Sequence, residues 1–124
     1  MMMKLFLLIG VVNGFLAVAL GAFGAHGLEG KISAKALSIW EKAVNYQMFH
    51  TMALLVTGIL AGKIQSTGIM WAGGLFTAGI VLFSGSLYAY AIWGSKFLAM
   101  ITPFGGVTFL IGWILLGYAV VKYL

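Results

Sequence analysis

The chain has 124 residues, 63% of them hydrophobic and 7% charged, with a formal net charge of +5. One small domain cannot hide that much apolar surface from water, which excludes a soluble globular fold and makes the bilayer the solvent. The seven lysines are dispersed at the ends of apolar runs, which excludes a nucleic-acid footprint and suits interfacial anchoring. The lack of cysteine excludes disulfides, thiolate metal sites and lipid attachment through sulfur.

The first apolar run covers 5–25, with Asn13 as its one clearly polar side chain, and is long enough to cross a bilayer. Lys4 ahead of an apolar stretch gives it some character of a signal peptide, but the run exceeds a typical h-region and reads as a span. Gly10, Gly14, Ala17 and Gly21 recur on one face at the spacing that lets membrane helices pack closely. The run closes on Gly21-Ala22-Phe23-Gly24-Ala25-His26-Gly27-Leu28, a small-residue face beside a histidine.

The next connection is the longest. Ser33 is its expected N-cap, opening a short interfacial helix over 33–42 that bends or runs directly into the second span. Leu37 and Trp40 fall on one side of it and leave Lys35, Glu41 and Lys42 to water. The second span, 43–62, is the most polar, carrying Asn45, Gln47, His50, Thr51 and Thr57. The third, 68–93, pairs Gly74 with Ala78 and Gly85 with Ala89, and crowds Ser84, Ser86, Tyr88 and Tyr90 toward its end. Thr102-Pro103 predicts an N-cap and a first-turn proline opening a fourth span over 103–121. A kink inside a longer helix is the alternative. The predicted fold is an all-α membrane protein: a four-transmembrane-helix bundle, with the interfacial helix between the first and second spans, forming a single domain over 1–124.

Four spans place Lys4, Lys63 and Lys122 on one side and Lys31, Lys35, Lys42 and Lys96 on the other. Three lysines against four leave the positive-inside rule little to act on. The orientation carried forward has both termini in the cytoplasm.

The stretches GAFGAHGL (21–28), WEKAVNYQMFH (40–50), FSGSLY (83–88) and TPFGG (102–106), with Gly112-Trp113, occur in one order along nearly the whole chain. On these motifs the chain resembles the small, functionally uncharacterised bacterial inner-membrane proteins of the YgdD/YwdK-like family. The resemblance implies a four-span integral protein of the cytoplasmic membrane. It implies no activity, substrate or catalytic residue.

The candidate helix-contact or pocket residues are Asn13, His26, Gln47, His50 and Tyr88. Ionisable groups at membrane depth are functional-site hypotheses by default. His26 ends the first span, and Gln47 and His50 share a face of the second that is expected to look toward it. A structural polar cluster joining the first three spans is the leading reading. A metal site would need Glu29 or water to complete it, and a proton- or ligand-sensing role would rest on imidazole titration. Asn13 reads as helix glue or the lining of a polar pocket. An enzyme is not expected, because the only acids are Glu29 and Glu41. No cofactor or metal is expected, and the lipid bilayer is the expected partner. A second copy or another membrane protein is the candidate for any protein contact. The chain therefore reads as a non-enzymatic structural or accessory membrane protein. The alternative is an oligomeric permease or channel for small solutes or ions. Its size and span number are similar to those of small dimeric multidrug exporters, but those need an embedded carboxylate where this chain has Asn13.

Overall fold

The computed structural model describes residues 2–124. Those residues form four long helices: α1 (Met2–Leu28), α2 (Ala34–Ala61), α3 (Thr67–Trp93) and α4 (Lys96–Tyr123). Each is about 40 Å long at 1.5 Å per residue, enough to cross a hydrocarbon core of about 30 Å. By length and apolarity α1, α3 and α4 qualify as spans. α2 is as long, and the polar residues of its middle make it less apolar than the other three.

Neighbouring helices run antiparallel. Gly10 lies against Leu55, Gly14 against Thr51 and Gly21 against Val44, so the small-residue face of α1 is spent on α2. Trp40 meets Tyr88, Ser84 bonds the Ala43 carbonyl and His50 meets Phe76, which fixes α2 against α3. Thr102 pairs with Ser86, Gly105 with Phe83 and Gly112 with Phe76 along α3 and α4. The small residues Gly74, Ala78 and Gly85 of α3 face outward instead.

The interior has two apolar layers. Phe6, Leu54, Ile69, Phe76, Phe109 and Leu116 fill the layer toward the chain termini. Leu28, Trp40, Val44 and Ala91 fill the smaller layer toward the opposite end. On α2, Gln47, His50 and Thr51 stand between these layers.

Three local features sharpen or correct the sequence expectations. The helix over 33–42 takes the second of its two expected courses and runs directly into the second span: Ser33 caps it, accepting from the Ala36 N–H at 3.0 Å, and it continues without a break to Ala61. Continuity satisfies every backbone group that a bend at membrane depth would leave unpaired. Thr102-Pro103 does not start the last helix, which begins at Lys96 with Pro103 inside it. The apolar residues 97–101 satisfy their backbone by joining the helix, and Pro103 stands exposed near its start. The third feature is a pair of π-helical turns, Gly24–Leu28 closing α1 and Ile80–Gly85 in the middle of α3.

Gly105 shows how tightly α4 is seated. A Cβ there would lie 2.7 Å from the Phe83 Cα and 2.8 Å from the Leu82 carbonyl carbon. These are backbone atoms of the π turn and cannot rotate away. Gly105→Ala is expected to destabilise the bundle by about 1–3 kcal/mol, the usual cost of overpacking. Gly117→Ala, on the same helix with open space around it, is expected to be neutral or stabilising. Thermal unfolding of both variants in detergent checks the contrast.

Candidate functional site

Membrane depth gives a polar side chain few partners, so each must find one within the bundle. Asn13 on α1 donates its amide N–H to the Ile9 carbonyl at 2.9 Å, satisfying itself on the preceding turn. Its Oδ1 accepts from Gln47 Nε2 at 2.9 Å. Gln47 Oε1 in turn accepts from the Tyr88 hydroxyl at 2.7 Å. One chain of side chains therefore links α1, α2 and α3, with Gln47, 4% exposed, at its centre. The Thr51 hydroxyl donates to the Gln47 carbonyl at 2.7 Å.

His50 belongs to a second contact. One turn beyond Gln47 and rotated around the helix, it faces α4 and not α1. Its Nδ1 lies 2.8 Å from the Tyr46 carbonyl, which only accepts, so Nδ1 carries the proton. Its Nε2 accepts from the Trp113 indole N–H at 3.0 Å. These partners select one neutral tautomer and use both ring nitrogens. The ring also stacks on Phe109, with centroids 3.5 Å apart and planes 8° from parallel. The contact carries the hydrogen bonding onto the fourth helix.

His26 joins neither group. Gly24 and Leu28 turn inward in the π segment, leaving the His26 side chain exposed. Trp40 takes the contact expected of His26: its indole N–H donates to the Leu20 carbonyl at 2.9 Å, four residues ahead of the π turn. Gly24 makes that possible, since a Cβ there would sit 2.6 Å from Trp40 Cδ1 and 2.7 Å from Nε1. The small residues around the histidine thus make room for a tryptophan from the next helix. The other π turn carries Ser84, whose hydroxyl donates to the Ala43 carbonyl at 2.8 Å. Ser86 and Thr102 share a hydroxyl hydrogen bond of 2.6 Å between α3 and α4.

The sequence singles out Asn13, Gln47, His50 and Tyr88, but it points His50 toward α1, whereas the ring turns to α4, and it gives neither Trp113 nor Trp40 as a partner. Trp113 carried a usable signal. It lies within about two turns of the middle of α4, away from the headgroup level where tryptophan usually anchors. An indole N–H at that depth needs an acceptor. Among the described residues every buried side-chain nitrogen and oxygen has a hydrogen-bond partner, and no three His, Asp or Glu side chains gather as metal ligands.

The motifs that carry these contacts can be set against known proteins. The model of a family described as a protein of unknown function (DUF423) matches residues 20–106. The chain belongs to that family. It is 54% identical over 121 residues to a UPF0382 membrane protein of Staphylococcus aureus, covering 98% of each chain. It is 53% identical over 121 residues to one of Staphylococcus epidermidis, again covering 98% of each. With the UPF0382 membrane protein YwdK of Bacillus subtilis it shares 52% over 123 residues, covering 98% of this chain and all of YwdK. No solved structure matches the chain. The YwdK-like family expected from the motifs is the family found, and the chain is a membrane protein.

Gln47→Leu would leave the Asn13 Oδ1 and the Tyr88 hydroxyl unpaired. The expected loss is about 0.6–1.7 kcal/mol, the range that side-chain hydrogen bonds reach in membranes. In a Tyr88→Phe background the same substitution should cost less, because one of the two orphaned groups is gone. A double-mutant cycle on unfolding in detergent measures the coupling.

Proposed function

We propose that this chain is a non-enzymatic structural or accessory protein of the bacterial cytoplasmic membrane, built as a dry helical module without a conduction path. The observation that carries the reading is the Asn13–Gln47–Tyr88 chain, in which the mid-membrane amides satisfy one another and the backbone. A permeation path needs polar groups turned toward a lumen, where water or solute completes their hydrogen bonds. Here the same groups face packed neighbours, and His50 has both nitrogens engaged.

Two further observations support the reading. Glu29 and Glu41 are exposed, outside the paired interior, and offer no acid–base pair in a shielded cleft. The spans are helices and the relatives are bacterial proteins, which favours the cytoplasmic membrane over an outer membrane populated by barrels.

Reconstitution of the purified chain into proteoliposomes tests the reading. Proton, potassium and small-solute flux should stay at the level of protein-free vesicles. Asn13→Leu and His50→Ala should lower thermal stability and leave that flux unchanged. Flux above the vesicle background that either substitution abolishes, in protein that remains folded, would establish the permease instead.

A further inference from the structure

Each end of the bundle carries a cavity between helix termini, and the two differ in charge. The one nearer the chain termini, about 400 Å³, is lined around the α2–α3 link by residues such as Gln65, Ser66 and Thr67, with no charged side chain. The one at the opposite end, about 390 Å³, lies between the start of α2 and the end of α3. Its one charged lining group is Lys35. Ser33, Tyr90 and Trp93 add polar or amphipathic walls, and Ile39 and Ala91 add apolar ones.

We infer that this second cavity binds the phosphate-bearing headgroup of an anionic phospholipid, with Lys35 as the charge that selects it. Position supports a lipid. Lys35 lies in the first turn of α2 and Trp93 is the last residue of α3, so both stand at helix ends, the headgroup level. Trp93 is 75% exposed, as an interfacial indole is. The apolar walls suit the glycerol and upper acyl carbons that a free phosphate lacks.

Charge and hydrogen bonding support the anion. A cation in the first turn of a helix opposes the helix dipole, and α2 has no acid there to offset it. The last turn of α3 brings the opposite, negative end of a helix dipole to the same cavity, so the Lys35 ammonium supplies its net positive charge. Tyr90 lines the cavity and brings a hydroxyl that can donate. Ser33 Oγ accepts from its helix and keeps its own O–H to give.

The test uses the full chain in dodecyl maltoside, titrated with dioleoyl phosphatidylglycerol, dioleoyl phosphatidylcholine or inorganic phosphate. Bound lipid is counted by native mass spectrometry, and the thermal midpoint is followed in parallel. Phosphatidylglycerol should be retained about fivefold better than phosphatidylcholine, the size expected for one lysine near a membrane surface. Lys35→Ala should bring the two lipids to parity, while Lys63→Ala at the other end should leave the preference intact. Ala36→Trp, which fills the cavity and keeps the charge, should also abolish the preference, and it carries the test if the lysine variant does not fold. Three results would overturn the inference: a preference that survives Lys35→Ala or Ala36→Trp, a preference lost equally in Lys63→Ala, or inorganic phosphate stabilising the protein as well as the lipid does.

Discussion

The Gln47 side-chain amide is the interaction on which the rest of this bundle depends. It sits between two apolar layers and has no water to fall back on. It gives a hydrogen to Asn13 on one helix and takes one from Tyr88 on another. Apolar packing alone holds membrane helices loosely in register, because a slipped helix exchanges one hydrocarbon contact for another. An amide with two fixed partners does not tolerate that slip, since a shift by one residue leaves three polar groups unpaired in a low dielectric. The register it sets brings Trp40 to Leu20 and Ser84 to Ala43.

The two π turns serve that register from the backbone side. A π turn widens the helix and shifts which side chains share a face. At the end of α1 it brings Gly24 and Leu28 inward and turns His26 out. In α3 it presents the backbone of Phe83 to Gly105. Ser84 faces α2 while Ser86 faces α4, though the two are neighbours in one motif. One helix can then bond partners on both sides without a break at membrane depth.

Inward-facing polarity also separates the middle of this protein from its ends. At mid-depth the hydrogen-bonding groups are spent on one another, which leaves little for a solute. The lysines, the exposed Trp93 and the end cavities are where the molecule can meet something other than hydrocarbon.

Much of the fold was legible in the chain because bilayer physics leaves few choices. Runs of some twenty apolar residues must be helices, their number sets the antiparallel order, and glycines three and four residues apart mark the face of α1 that packs on α2. The rarity of polar residues in those runs singled out Asn13, Gln47, His50 and Tyr88. Tertiary structure alone decided who pairs with whom. A small rotation around α2 separates Gln47, bound to α1 and α3, from His50, bound to Trp113 on α4, and two unannounced π turns alter which side chains face inward. Such rotations cost little within a single helix, and the sum of contacts across all four selects them. Sequence therefore determined which groups had to be satisfied, and packing determined by what.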